Sequence, residues 1–168
     1  MSEKAYGLAA ASRELFIKGM RQVASSVAVV TTNGSGGRHG ATVSAFTSVS
    51  ADPPQLLACL RSDSRIAAAV NENGSFCLNI LSHQHPHLAE RFSGQHDTAV
   101  GDRFEGIEIH GEAQEWVVLK QATAFCCAVF DRHVHATHTI FLGNVLKVQI
   151  SAEDPLTYLN GQYRRLAR

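Results

Sequence analysis

The residues of this chain that could do chemistry are concentrated between positions 40 and 65. Residues 40–50 carry hydroxyl and small side chains in an extended pattern that stops at Pro53 and Pro54. Residues 61–65 read Arg-Ser-Asp-Ser-Arg at a predicted helix start. Hydroxyl groups both donate and accept hydrogen bonds, helix N-termini attract anions, and guanidinium groups suit bidentate contact with phosphate. The segment therefore predicts a polar cradle for a flat heteroaromatic ligand that carries a phosphate.

Side chains along residues 40–50 would alternate between the two faces of a single strand. Thr42, Ser44, Phe46 and Ser48 would then share one side. An exposed, threonine-rich strand of a sheet would show the same pattern. The Ser and Arg cluster that follows favours the ligand cradle, because a solvated helix cap explains the serines but not the arginines.

Composition limits the classes of partner and the location. The chain has 168 residues, 45% of them hydrophobic, which predicts one domain over residues 1–168. Fifteen basic and fifteen acidic residues balance, so we expect neither nucleic acid nor an anionic membrane as a partner. Four cysteines within apolar runs, with no Cys-x-x-Cys pair, are typical of reduced, buried thiols. With no signal pattern and no apolar run of about 18 residues, these features predict a soluble cytoplasmic protein.

Motif searches exclude several chemistries. The chain has no Gly-x-Gly-x-x-Gly, no Gly-x-x-x-x-Gly-Lys-Ser/Thr and no Gly-x-Ser-x-Gly, so neither a Rossmann site, a P-loop nor a hydrolase elbow is indicated. His83 and His87 could share a helix face, but Pro86 and the lack of a nearby third ligand argue against a metal site. His138, before a strong strand, is either a surface histidine or a site residue. Phe92 is either a core residue or an aromatic wall beside a ring ligand.

Hydrophobic periodicity predicts many strands and few helices. Helices are expected over residues 12–24, 65–71 and 85–92, with Ser12 capping the first and Ser62 or Ser64 the second. A loop is expected over 93–103. Strands are expected over residues 27–32 and 38–46 as a hairpin, and over 55–60, 76–81, 107–110, 124–135, 139–150, 156–158 and 163–166. Without regular βαβ alternation, this order favours an antiparallel barrel with peripheral helices.

Five ordered motifs give the chain a family resemblance. They are residues 40–50 with Pro53-Pro54, residues 76–81 (Phe-Cys-Leu-Asn-Ile-Leu), residues 91–94 (Arg-Phe-Ser-Gly) with 102–104 (Asp-Arg-Phe), residues 137–143 (Thr-His-Thr-Ile-Phe-Leu-Gly), and residues 155–158 (Pro-Leu-Thr-Tyr) with Tyr163. In these motifs the chain resembles the short flavin reductases of two-component monooxygenases, a group that includes the reductase component of 4-hydroxyphenylacetate 3-monooxygenase.

The resemblance implies a mainly β fold, a flavin-binding, Greek-key split barrel with peripheral helices. It also implies a homodimer that reduces FMN or FAD by hydride transfer and supplies reduced flavin to a separate oxygenase component. We expect NADH rather than NADPH, because no basic cluster precedes Arg164 near the tail motif. No catalytic side chain is expected, because the two cofactors carry the hydride chemistry. A split-barrel protein that binds flavin or haem without turnover remains an alternative, as does a pyrimidine-catabolism type reductase with a different oxygenase.

The resemblance also implies roles for individual residues. The flavin ring would be lined by the ribbon residues Thr42, Val43, Ser44, Ala45, Phe46 and Thr47, with Cys59, Leu60 and Arg61 continuing the pocket. The phosphate would meet Ser64 and Arg65, and Phe92 would flank the ring. The nicotinamide nucleotide would be held by Ser48, His138, Tyr158, Gly161 and Tyr163. Two departures affect this second site: Ala136-Thr137-His138 stands where relatives often have Gly-Asp-His, and Asn160-Gly161 where many have an arginine.

Overall fold

The computed structural model describes residues 9–94, 102–110 and 116–166, and strands dominate them. Three helices lie in the described part of the chain: α1 (Arg13–Met20), α2 (Arg65–Asn73) and α3 (Pro86–Phe92). The strands there are β1 (Ser25–Ser26), β2 (Ala28–Thr32), β3 (His39–Val43), β4 (Phe46–Ala51), β5 (Pro54–Arg61), β6 (Ser75–Ile80), β7 (Ile109–His110), β8 (Val118–Leu119), β9 (Thr123–His135), β10 (His138–Gln149), β11 (Leu156–Leu159) and β12 (Gln162–Arg165).

Seven strands form the main sheet in the order β3-β2-β6-β9-β10-β5-β4, and each neighbouring pair is antiparallel. The two edge strands, β3 and β4, follow one another in the chain. The connection between them crosses to β5, where the amide of Cys59 donates to the carbonyl of Ala45 at 2.9 Å. Only residues 44 and 45 separate β3 from β4, so the two edges of the sheet lie next to each other and the sheet closes, which confirms the predicted antiparallel barrel. A smaller sheet, β1-β11-β12, and the pair β7-β8 complete the described strands.

Apolar side chains pack on both faces of the main sheet. β2 is buried along its whole length, and its continuous β-branched run suits a strand that is covered on both sides. Val30 belongs to the main core with Phe76 and Phe141, whereas Val29 faces a second cluster with Leu88 and Phe92. A third, small cluster contains Cys77, Val118, Ala124 and Cys126, with Trp116 packed against it.

The helices begin where the sequence predicts. Ser12 accepts from the amide of Leu15 at 3.2 Å, and Ser64 accepts from the amide of Ala67 at 3.3 Å. α2 is two residues longer than expected and ends at Gly74, whose φ of 66° suits a C-cap glycine. α1 ends at Met20, short of the predicted residue 24, and none of its residues is buried. Within the described ranges, every helix is too short or too polar to cross a membrane.

Residues 40–50 do not form the single strand that the sequence predicts. β3 ends at Val43 and β4 begins at Phe46, because the chain must leave one sheet edge and cross to the other. The two-residue strands β1 and β8 were not predicted, since such short segments show no periodicity. Most of the predicted loop over 93–103, namely residues 95–101, lies outside the described residues.

Gly143 in β10 offers a test of core packing. A β-carbon there would lie 2.7 Å from Cβ of Cys127 and 3.0 Å from the ring of Phe76. We expect Gly143→Ala to lower the free energy of unfolding by about 1–3 kcal/mol through overpacking, measured by urea denaturation. Gly19→Ala is the control, because a β-carbon at position 19 would meet nothing within 4 Å. Position 19 lies within α1, where alanine is more stable than glycine, so this variant should not lose stability. An unchanged unfolding midpoint in Gly143→Ala would contradict this packing.

Candidate functional site

A cleft of about 950 Å³ lies beside β3, bounded by the β3–β4 connection, the end of β5, the start of α2 and the turn at residues 102–104. Most of the predicted binding residues line it. They are Thr42, Val43, Ser44, Ala45, Cys59, Leu60, Arg61, Ser64, Arg65 and His138. Residues far apart in the sequence meet here because Ala45 is hydrogen bonded to Cys59 and His138 lies opposite Arg61 in the β10-β5 register.

One wall of the cleft is the outer edge of β3. In the described part of the chain this strand pairs with β2 alone, so its other edge faces the cleft. The carbonyl of Gly40 points to that edge, where it accepts from Nη1 of Arg103 at 2.8 Å. The amide and carbonyl of one residue point to the same side of a strand, so Thr42, two residues along, directs its own groups to this edge. Such an edge presents donors and acceptors in a row, which suits a flat heterocycle with alternating donors and acceptors.

The far end of the cleft is built to receive an anion. α2 begins there, with Ser64 as N-cap and Arg65 as its first residue. Backbone amides and the positive end of the helix dipole favour negative charge at this place. Arg61 contacts Asp63 at 2.6 Å, and the hydrogen bond from Arg61 holds the pKa of that carboxyl below its usual range. Arg65, by contrast, forms no ion pair with any of the described residues, and it also lines the cleft.

A second group of charged residues forms the rim of the cleft, and sequence reasoning gave it no role. Arg38 contacts Asp102 at 2.7 Å, and its guanidinium lies 4.8 Å from the ring centre of Phe104. A hydrogen bond from the amide of Phe104, together with Arg38, lowers the pKa of Asp102. Arg103 completes the rim through its bond to Gly40. Four arginines and two aspartates line the cleft, so it is positive although the chain has no net charge.

Arg91, in the last turn of α3, fixes this rim from behind. Its guanidinium donates to the carbonyls of Arg103 at 2.6 Å, Glu105 at 2.7 Å and Asp102 at 3.2 Å. The two sequence motifs at residues 91–94 and 102–104 are therefore one structural unit. Nothing in their spacing indicates this, because the contacts depend on how the intervening chain returns to α3.

Phe92 occupies a core position. Its ring is fully buried and packs edge to face against Phe104, with centroids 5.0 Å apart. It lies beneath Gly40, where a β-carbon would come within 2.7 Å of the ring. The core interpretation of Phe92 is thus confirmed. The ring supports the cleft wall from behind, and this packing does not favour a direct contact with a ligand.

The predicted lining does not continue past Ala45. Phe46, Thr47 and Ser48 belong to β4, at the opposite edge of the sheet from β3, and are not among the residues that line the cleft. Phe46 packs against the main core, while Thr47 and Ser48 are exposed. Thr42 and Phe46 do not share a face, since the hydroxyl of Thr42 donates to the carbonyl of Ala89 at 2.7 Å.

The predicted tail residues lie in the small sheet and do not line the cleft of the same chain. Tyr158 on β11 is opposite Tyr163 on β12, and their rings are 5.5 Å apart. Burial raises the pKa of Tyr163. Gly161 forms the turn between the two strands with a φ of 80°. A nicotinamide contact by these three residues remains a prediction.

His138 is exposed at the start of β10 and also lines the cleft. Its Nδ1 lies 2.9 Å from the hydroxyl of Thr137, which fixes the ring orientation. The surface interpretation is therefore confirmed, and a role of His138 in binding remains a prediction. Over the described residues, no group of three or more His, Cys, Asp or Glu side chains could hold a metal ion.

The closed antiparallel sheet puts this chain in the class of split-barrel proteins, and its cationic cleft between the β3 edge and the start of α2 suits a ligand that carries a phosphate. The family model described as "Flavin reductase like domain" matches residues 20–167, and the chain belongs to this family. The resemblance found in its sequence motifs is thereby confirmed.

Known relatives agree in sequence and in fold. The chain is 38% identical to "FMN reductase (NADH) RutF 2" of Methylorubrum extorquens, over 95% of this chain and 92% of that protein. It is similar to flavin reductase PheA2, with 30% identity, a TM-score of 0.84, and coverage of 94% of this chain and all of that one. A complex of the NADH:FAD oxidoreductase SgcE6 of Streptomyces globisporus with NAD and FAD fragments is 26% identical, with a TM-score of 0.84 and 93% coverage of both chains.

Proposed function

We propose that this chain, as one domain, is an NADH-dependent flavin reductase that takes FMN as its flavin. The observation that carries the proposal is the cleft itself, in which the outer edge of β3 leads to Ser64 and Arg65 at the start of α2. The backbone N–H and C=O groups on the open edge of β3 can hydrogen bond to the flavin ring, and the amides at the start of α2 can bind its terminal phosphate. Family membership and the names of the curated relatives support both the activity and the choice of FMN and NADH.

The protein's share of the reaction is binding and orientation. When bound, flavin and nicotinamide supply the hydride acceptor and donor, so no acid or nucleophile is needed from the chain. Thr42 and the β3–β4 connection hold the ring, and Arg65 with the amides of α2 holds the phosphate. The open side of the cleft, where His138 lies, is where the nicotinamide would approach the ring. The arginines that line the cleft would favour negative charge on a bound ring.

We further propose that the chain acts in the cytoplasm as a homodimer. α1 has no buried residue, and Leu15, Phe16 and Met20 expose more than half of their surface. Several exposed large apolar side chains on one short helix suggest a surface that a second protein covers. Free Cys59, Cys77, Cys126 and Cys127 suit a reducing compartment. Light scattering during size-exclusion chromatography tests the dimer, which Phe16→Glu should shift towards monomer.

A separate oxygenase component is the proposed consumer of the reduced flavin. One structural neighbour, BorF, is the flavin reductase component of a bacterial two-component tryptophan halogenase, at 27% identity and a TM-score of 0.81. For this chain the open cleft supports release of reduced flavin to such a partner by diffusion. A mixture with a candidate oxygenase should turn over without a stable complex between the two proteins.

Anaerobic spectroscopy tests the activity directly. We expect NADH to abolish the visible absorbance of FMN with catalytic amounts of the protein, and NADPH to act much more slowly. A protein that binds FMN but leaves it oxidised in NADH would instead be a flavin-binding or haem-binding split barrel without turnover. If the protein does not bind flavin at all, the proposed function is wrong.

His138→Ala tests the donor side of the cleft. We expect the KM for NADH to rise by about tenfold, equivalent to about 1.4 kcal/mol, while the affinity for FMN stays the same. His133→Ala is the matched control, because His133 is exposed on the same hairpin and contacts Asp131 rather than the cleft. Loss of FMN binding in His138→Ala would place this residue on the flavin side instead.

A further inference from the structure

Two cysteines outside the cleft lie in contact across the centre of the sheet. Cys77 on β6 is directly opposite Cys126 on β9, and their sulfur atoms are 3.1 Å apart. Carbon atoms in contact are separated by about 3.5–4.0 Å, so the larger sulfur atoms are unusually close. Directly opposed residues of antiparallel strands have Cα atoms about 4.5–5.5 Å apart, within the range of about 4.4–6.8 Å that a disulfide spans. The backbone therefore already permits a bond between them.

The two thiols share one chemical environment that differs from those of the other cysteines. Both belong to the small cluster that Trp116 covers, whereas Cys127 packs on the other face of the sheet in the main core. Lys147 on β10 lies opposite Cys126. A hydrogen bond from the Cys77 thiol, with the charge of Lys147, lowers the pKa of Cys126. The pKa of Cys77 is raised, because its hydrogen is donated to Cys126 and because it is buried.

We propose that Cys77 and Cys126 form an oxidation site for hydrogen peroxide, at which the two thiols are converted reversibly into a disulfide. Cys126 attacks one peroxide oxygen, which breaks the O–O bond, forms a sulfenic acid and releases water. Cys77 then attacks the sulfenic sulfur, forms the S–S bond and releases a second water. In total, two thiols are oxidised, one peroxide is reduced, and both thiol hydrogens leave in water. A thiol reductant restores the pair.

The proposed function supplies the oxidant. This source of peroxide rests on the proposed flavin reductase activity, whereas the cysteine site does not. Dihydroflavin that escapes a partner enzyme reacts with O₂, giving oxidised flavin and hydrogen peroxide by transfer of two electrons and two protons. To reach the two sulfur atoms, peroxide must pass the residues packed around this cluster, which include Trp116. Both cysteines are only 1% exposed, so we expect them to react more slowly than a surface thiol.

The first experiment uses the wild-type protein and added hydrogen peroxide, with no flavin present. After denaturation, we expect alkylation to label two of the four cysteines instead of all four, with mass spectrometry placing the disulfide between Cys77 and Cys126. Dithiothreitol should restore four labelled cysteines. The fluorescence of Trp116, the single tryptophan of the chain, should change and recover in parallel. Four labelled cysteines after peroxide, or a disulfide that includes Cys59 or Cys127, would overturn the proposal.

Variants and a turnover experiment complete the test. Cys126→Ser should prevent the disulfide, whereas Cys127→Ser, on the same strand but the other face, should leave it intact. Wild-type protein that turns over NADH and FMN in air should form the same disulfide, and catalase should prevent it. If added peroxide forms the disulfide but turnover does not, the oxidation site stands and the flavin reductase activity is in question.

Discussion

Arg65→Ala should weaken FMN binding by roughly 10- to 100-fold and leave riboflavin binding unchanged. Arg65 is the first residue of α2 and lines the cleft at the place where helix amides point outward. A hydrogen bond to a charged group contributes about 1.5–3 kcal/mol, and about 1.4 kcal/mol corresponds to a tenfold change in affinity. Riboflavin lacks the phosphate, so it has nothing for Arg65 to hold. Fluorescence titration of each flavin gives both dissociation constants.

The comparison of two ligands separates an anchor from a general fold effect. Loss of affinity for both flavins in Arg65→Ala would mean that the substitution has disturbed the cleft and not a phosphate contact. Arg132→Ala is the matched control, because Arg132 is an exposed arginine of the β9–β10 hairpin that does not line the cleft. Salt should weaken FMN binding in the wild type more than in Arg65→Ala, since the contact is electrostatic.

The anion end of the cleft could be predicted from sequence because its signals are local. Ser64 caps the helix that begins with Arg65, and a Ser-Arg pair before an apolar helix indicates such a site without tertiary information. The sequence also predicts the strand β3 beside the cleft, but it extends that strand to residue 46, whereas β3 ends at Val43. A break with no glycine or proline at positions 44 and 45 carries no local signal, because only closure of the sheet onto Cys59 requires it.

The rim shows the opposite case. Arg38 and Asp102 are exposed charges 64 residues apart, and although Asp102 belongs to a recognised motif, nothing in the sequence pairs it with Arg38. Their contact depends on Arg91, which holds the turn at residues 102–105 through backbone carbonyls and so leaves no pattern of side chains to detect. The C-terminal segment with Tyr158 and Tyr163 differs again. The sequence shows its motif, but it does not show that this segment lies away from the cleft of the same chain.

Gly40→Ala should cost both stability and flavin binding, because Gly40 is where the core and the cleft touch. Its β-carbon would lie 2.7 Å from the buried ring of Phe92 and 3.0 Å from that of Phe104. Overpacking of this kind costs about 1–3 kcal/mol. The strain must displace either the ring or β3, and β3 carries the edge that faces the cleft. Urea denaturation and FMN titration measure the two effects in one variant.

A double-mutant cycle with Phe92→Leu distinguishes this local clash from a general loss of packing. Phe92→Leu alone should destabilise the protein, because it leaves a cavity. In the Gly40→Ala background the same substitution also removes the ring that the new β-carbon would meet. The double variant should therefore lose about 0.5–3 kcal/mol less stability than the two single variants lose in total. Phe92→Leu should give no such rescue of Gly143→Ala, whose contacts are with Cys127 and Phe76. Simple additivity at position 40 would mean that β3 and Phe92 are not in contact. If stability recovers with FMN affinity, the ring behind Gly40 sets the position of the strand that binds flavin.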